Sequence, residues 1–107
     1  MRIIATGLLF AALSLSALTA RAEDYVLTLK DHKFTPQELT VPAGQKVKLI
    51  VRNDGDATAE FESATLNREK IVNSKSAINV FIGPLDAGRY DYFDDFHRET
   101  TGVIVAK

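Results

Sequence analysis

The stretch that decides the fold is residues 88–107, which read GRYDYFDDFHRETTGVIVAK. Within it, residues 89–93 and 103–106 are rich in aromatic and β-branched side chains, a composition that predicts two strands. The polar segment DDFHRETTG between them predicts the loop that joins these strands. Because no other part of the chain shows convincing helical periodicity, the closing strand pair indicates an all-β domain.

The predicted loop also carries the side chains with the most chemistry. Asp94, Asp95, His97 and Glu99 lie close together in it, and carboxylate oxygens and imidazole nitrogens bind divalent and trivalent metals. A loop rich in Asp and Thr is also what solvent exposure alone favours. Taken alone, the segment therefore fits either a ligand loop or a solvated loop.

Short extended segments follow one another along the rest of the chain. The clearest is KVKLIVRN at residues 46–53, where polar and apolar residues largely alternate as in a half-buried strand. Pro36 and Pro42 restrict their neighbours to edge or irregular strands. Seven or eight strands with turn signals every ~8–12 residues predict a Greek-key β-sandwich. Tyr90, in DAGRY, fits a corner motif whose hydroxyl bonds to upstream backbone.

The first 22 of the 107 residues have the features of a secretory signal peptide. A positive start precedes an apolar run at residues 3–18, and Ala20-Arg21-Ala22 is a small-x-small cleavage site. The run is shorter than the ~20 residues of a spanning helix, so we expect a domain at residues 23–107 that is not embedded in the membrane. All 14 acidic residues but only 11 of the 13 Lys and Arg follow residue 22, which gives a net charge of −3 and makes nucleic acid an unexpected partner.

The chain contains no Cys. Thiolate metal sites are therefore excluded, including the blue-copper type, and an exported domain would depend on its core rather than on disulfides. The sequence also has no Gly-x-Ser-x-Gly elbow, no Cys-His pair and no Gly-rich phosphate loop. A hydrolytic enzyme is not indicated.

Further candidate ligands lie outside the closing segment. His32 is in the polar loop DHKFT, where solvent exposure is the simpler explanation. Glu60 and Glu62 alternate across Phe61 and should point to one side of a strand together, a geometry that a metal can use. Together with Glu69, they also fit an outward face made acidic for solubility.

The order of these motifs resembles that of a known family. FTPQELTVPAGQKVKLIVRN is followed by an Asp/Gly-rich turn and then by EFES, LNREK, GPLDAGRYDYF, FH and TTG. Without any Cys, this combination resembles the cupredoxin-like domains of bacterial iron-uptake systems. Within these, it resembles the small periplasmic cupredoxins encoded beside a periplasmic iron-binding protein, an oxidase-dependent iron permease and a ferredoxin-type membrane protein. The resemblance implies a cupredoxin-like Greek-key β-sandwich.

The resemblance also suggests a set of ligands. Blue-copper members carry a Cys, a His and a Met in the last loop, and Asp94, His97 and Thr100 stand there in this chain. Of these three copper ligands only the His is present, so type-1 copper is not expected. In the iron-associated subgroup that end of the sandwich carries Glu, Asp and His, and His32 should lie at the same end. The residues that look like the subgroup's motif positions are Glu60, Glu62, Glu69, Asp95 and His97.

The resemblance implies a periplasmic protein that binds a copper or iron ion and serves iron uptake, either by assisting Fe(II) oxidation or by delivering iron. The expected partners are the periplasmic iron-binding protein and the inner-membrane iron permease of the same system. We do not expect a stand-alone enzyme, at most an accessory to oxidation. Two alternatives remain open, namely a copper-handling protein of the same compartment and a metal-free docking module.

Overall fold

The computed structural model describes residues 24–107, and the predicted signal peptide at residues 1–22 lies outside them. No helix in this part of the chain is long and apolar enough to cross a membrane. The described residues form nine strands: β1 Asp24–Lys30, β2 Lys33–Thr35, β3 Glu38–Val41, β4 Val47–Asn53, β5 Ala59–Ser63, β6 Arg68–Val72, β7 Ser76–Ile82, β8 Gly88–Asp94 and β9 His97–Ala106.

The strands form two facing sheets. One has the order β2-β1-β4-β7 and the other the order β3-β9-β8-β5-β6. Most neighbours are antiparallel, but β1 pairs with β4 and β3 with β9 in parallel. The all-β sandwich predicted from the sequence is confirmed, and the strands beside Pro36 and Pro42 are edge strands as expected.

Alternation along the strands builds the core between the sheets. In β4, Val47, Leu49 and Val51 are buried while the residues between them are partly exposed. In β5, Phe61 is buried and the glutamates on either side are not, as the sequence predicted. Burial of this apolar surface from both sheets, at ~25 cal/mol per Å², is the main favourable contribution to folding.

The closing segment differs from its prediction in one respect. The DDFHRETTG stretch is not a long loop, because β9 already begins at His97 and Asp94 pairs with His97 across a two-residue turn. The polar residues of β9 occupy strand positions, and Thr100 is buried, where its hydroxyl donates to the carbonyl of His32 at 3.0 Å. Pairing with β8 therefore extends the strand through residues whose polarity predicted a loop.

Two tyrosines of β8 fix the closing strands. The Tyr90 hydroxyl donates to the carbonyl of Asp86 at 2.7 Å, which confirms the predicted corner. Tyr92 is fully buried and lies opposite Gly102 in the strand pair. A Cβ at Gly102 would clash with the Tyr92 hydroxyl oxygen, so only glycine leaves room for this ring.

Candidate metal site

One end of the sandwich collects the candidate ligands, and we call it the site end. There β1, β4 and β8 finish, and β2, β5 and β9 begin. Buried Asn53 at the end of β4 fixes the following turn, because its amide donates to the carbonyls of Ala57 at 2.8 Å and Val72 at 3.0 Å. These two bonds hold the end of β4 against the segment that precedes β5 and against the end of β6.

Three carboxylates meet at the site end, on the outer face of the five-stranded sheet. Ligand oxygens of Glu60, Glu62 and Asp95 all lie within 4.8 Å of one another, and we call these residues the carboxylate cluster. The backbone N–H of Asp95 donates to the carbonyl of Glu60 at 2.9 Å, which fixes the turn against β5. Glu62 Oε1 is buried and has no hydrogen-bond partner within residues 24–107.

The carboxylate cluster concentrates negative charge. Partial desolvation, the adjacent Asp95 side chain and the charges of Glu69, Asp95 and Glu62 together raise the pKa of Glu60 to about 7. Desolvation, followed by the charges of Asp95 and Glu69, also raises the pKa of Glu62. Both shifts have the direction expected when carboxylates crowd one another without enough positive charge. A bound cation would relieve this repulsion.

Two neighbours modify the charge of the carboxylate cluster. Glu69 pairs with Glu62 across β5 and β6 and adds to the repulsion, although its own side chain is exposed. Arg98 counteracts this repulsion, because its Nη2 lies 2.7 Å from Asp95 Oδ1. Its guanidinium also lies 5.5 Å from the centroid of the Phe93 ring. Within residues 24–107, Arg98 therefore offsets only part of the negative charge of these carboxylates.

The two histidines meet on the other side of the β8–β9 turn. The ring centroids of His32 and His97 are 4.6 Å apart, and both rings line a cleft of about 250 Å³. Asp94 also lines this cleft, and its Oδ2 lies 3.2 Å from His97 Nδ1. We call His32, His97 and Asp94 the histidine pocket.

The predicted site residues thus separate into two neighbouring groups. Glu60, Glu62 and Asp95 come together as ligands, with Glu69 beside them. His97 does not join these carboxylates and lies instead with His32, which was expected at the same end of the sandwich. The two groups are adjacent because Asp94 and Asp95 are consecutive.

Asp94 was among the candidate ligands of the predicted loop but absent from the ligand set that the resemblance suggested. It is 2% exposed, and its Oδ1 accepts the backbone N–H of Glu60 at 2.9 Å and of Phe96 at 3.0 Å. Its position at the end of an alternating strand, where the preceding Tyr92 also points inward, was a sequence signal for burial. The sequence could not show which backbone groups it would bind.

The donor set determines which metals fit. It offers oxygen and imidazole nitrogen without sulfur, since the chain has no Cys, and such ligands suit Fe(III) and Cu(II) but not type-1 copper. The unpartnered buried oxygen of Glu62 is an acceptor that a cation could satisfy. The residues present therefore fit a carboxylate-bound ion.

Comparison with known proteins identifies the family. The family model of the cupredoxin-like domain matches residues 2–106. An uncharacterised protein of Rickettsia prowazekii (strain Madrid E) is 46% identical over 80 residues, which cover 74% of this chain and 64% of that protein. The chain thus spans less than two thirds of this relative's length.

Solved structures of low sequence identity share the fold. A purple cupredoxin from Nitrosopumilus maritimus superposes with a TM-score of 0.62 at 15% identity, covering 78% of this chain and 99% of its own. Amicyanin from Paracoccus versutus gives 0.65 at 19% identity, covering 82% and 85%. Reduced auracyanin from Roseiflexus castenholzii gives 0.66 at 12% identity, covering 81% and 99%. The matched family and the shared sandwich agree, and the chain belongs to the cupredoxin-like domain family.

Proposed function

We propose that this cupredoxin-like protein binds a metal ion through the carboxylate cluster and serves iron uptake. The observation that carries the proposal is the convergence of Glu60, Glu62 and Asp95 within 4.8 Å. Carboxylates this close repel one another unless a proton or a cation lies between them. Desolvation, together with the neighbouring carboxylates, raises the pKa of Glu60 to about 7, the direction that such crowding favours.

Iron is favoured at the carboxylate cluster by ligand hardness. Carboxylate oxygens suit hard cations, whereas thiolate and thioether sulfur suit softer ones. The chain has no Cys, so a bound iron would be held by oxygen, with Glu69 adding charge nearby. When bound, such an ion could exchange an electron with a partner, so the protein would act at most as an accessory to Fe(II) oxidation or in delivery, not as a stand-alone enzyme.

Export and partners complete the proposal. The features of residues 1–22 and the resemblance to the small cupredoxins of iron-uptake systems support a periplasmic location. The same resemblance supports a periplasmic iron-binding protein and an inner-membrane iron permease as partners. Mass spectrometry of the periplasmic fraction is expected to find a chain that starts at Glu23. A chain that retains Met1 in the cytoplasm would contradict this location.

Copper handling is the second candidate, and the histidine pocket favours it. Imidazole suits Cu(II), and the affinity order of divalent metals places Cu(II) above Fe(II) at a given site. The pairing of His32 with His97 at 4.6 Å between centroids offers two imidazoles to one ion. A copper-loaded sample should lack the intense blue band of type-1 sites, because no thiolate is present.

Titration with Fe(III) supplied as its citrate complex tests the proposal. We expect Glu62→Gln and Asp95→Asn each to weaken binding by about tenfold or more, equivalent to ~1.4 kcal/mol. Glu38→Gln is the matched control, because it removes the same charge from β3 of the same sheet and breaks only an exposed ion pair with Arg89 of 3.6 Å. If the parent and all variants bind Fe(III) with equal affinity, the carboxylates serve solubility instead of metal binding, and the metal-free docking module is favoured.

Growth on limiting iron tests the proposed role in iron uptake. A deletion strain should grow poorly on limiting iron, be rescued by the parent gene and by Glu38→Gln, and be rescued poorly by Glu62→Gln. Rescue that depends on copper supply instead of iron supply would favour the copper-handling alternative.

A further inference from the structure

Asp94 contacts three groups at the site end. Its Oδ1 accepts two backbone N–H groups, that of Glu60 at 2.9 Å and that of Phe96 at 3.0 Å. Its Oδ2 lies 3.2 Å from Nδ1 of His97. Since Asp94 is 2% exposed, these contacts fix its orientation.

The contacts of Asp94 determine where His97 carries its proton. Two N–H donors on one oxygen stabilise the ionised carboxylate, and an ionised carboxylate only accepts hydrogen bonds. His97 must then donate from Nδ1. In a neutral imidazole the other nitrogen, Nε2, is left with a lone pair, and it makes no hydrogen bond within residues 24–107.

We propose that Asp94 is a positioning residue that holds His97 as the Nδ1–H tautomer and thereby makes Nε2 its metal-binding atom. His97 shares its cleft with His32, and rings with centroids 4.6 Å apart can reach one ion, because a metal lies only about 2 Å from a ligating nitrogen. The inference rests on the copper-handling candidate of the proposed function, which places an ion in the histidine pocket, but the tautomer itself is a property of the metal-free chain.

The isosteric variant Asp94→Asn should reverse the tautomer. The backbone N–H groups of Glu60 and Phe96 still require an acceptor, so the amide oxygen must take the Oδ1 position. The amide NH₂ then faces His97 Nδ1 and can only donate to it. Nδ1 must become the acceptor, and the proton moves to Nε2, where it blocks the lone pair.

Nitrogen-15 NMR of the imidazole rings tests this directly. Spectra of the metal-free parent at about pH 8.5, above the ordinary pKa of imidazole, should show His97 as the Nδ1–H tautomer, and Asp94→Asn should show Nε2–H. With Zn(II) as a diamagnetic probe, the parent should keep its Nδ1–H proton while Nε2 changes its shift. Zn(II) affinity should fall by about tenfold or more in Asp94→Asn. Asp91→Asn, an exposed aspartate on the same strand, is the control that changes neither tautomer nor affinity.

Three outcomes would overturn the inference: an Nε2–H tautomer in the parent, an unchanged tautomer in a folded Asp94→Asn, or loss of the Nδ1–H proton when Zn(II) binds. The parent spectrum decides the assignment even if the variant does not fold. If neither Zn(II), Fe(III) nor Cu(II) binds the parent while its metal-free spectrum shows Nδ1–H, the proposed function fails and the tautomer assignment stands.

Discussion

Asp94 and Asp95 are neighbours in the chain, and their surroundings are opposite. Asp94 is buried and accepts two backbone N–H groups as well as facing His97. Asp95 is partly exposed and lies among glutamates, and among residues 24–107 only Arg98 forms an ion pair with it. The comparison shows how a buried carboxylate with donors supports structure, while a crowded carboxylate without enough donors is suited to a cation.

The largest expected effect is a difference in folding stability between variants of the two aspartates. Asp94→Ala leaves the N–H groups of Glu60 and Phe96 without their acceptor, and we expect the free energy of unfolding to fall by about 2–4 kcal/mol. Asp95→Ala should change it by about 0.5 kcal/mol or less, because the Arg98 side of its ion pair is 75% exposed and removal of the Asp95 carboxylate also relieves repulsion. Urea unfolding of the metal-free proteins measures both. Equal losses would show that the two side chains do not differ in role.

The next largest effect is a difference in metal preference between variants of the carboxylate cluster and variants of the histidine pocket. Glu62→Gln should weaken Fe(III) binding by about tenfold or more and affect Cu(II) less, because hard cations depend most on the oxygens. His97→Ala should show the reverse preference, with Cu(II) binding weakened by about tenfold. Titration of each variant with both metals gives the comparison. Parallel losses for both metals would mean that all the ligands form one site.

The smallest effect concerns pH. Because the pKa of Glu60 in the fold, about 7, exceeds its ordinary value of 4.5, the folded chain holds this proton more tightly than the unfolded chain. Its contribution to stability is fully present below about pH 4.5 and is lost as the pH rises through about 7. Glu60→Gln should flatten this part of the pH profile of unfolding in the metal-free protein, and Glu38→Gln should not. A parent profile no steeper than that of Glu60→Gln would contradict the crowded cluster.

The sequence predicted the sandwich well where alternation was regular. The KVKLIVRN pattern located β4, the alternation around Phe61 placed Glu60 and Glu62 on the outer face, and DAGRY located the Tyr90 corner. Period-2 patterning states which face a side chain occupies, and that information is local. These features therefore needed no knowledge of the pairing between strands.

The remaining features depend on contacts between distant residues. Strand β2 has only three residues, and its pairing with β1 supplies the strand character that its DHKFTP context lacks. The division of the candidate ligands between two groups arises because Asp94 points inward and Asp95 outward beside β5. No sequence pattern states that the N–H of Glu60 meets Asp94, 34 residues away. Tertiary packing determines all three of these features.

The most direct test of the carboxylate cluster is to locate the metal. Crystals of residues 23–107 grown with one equivalent of Fe(III) should be measured at the iron absorption edge, and an anomalous difference map calculated. We expect one strong peak on the outer face of the five-stranded sheet, ligated by oxygens of Glu60, Glu62 and Asp95. No peak there, or a peak only between His32 and His97, would contradict the proposal that this cluster is an iron site.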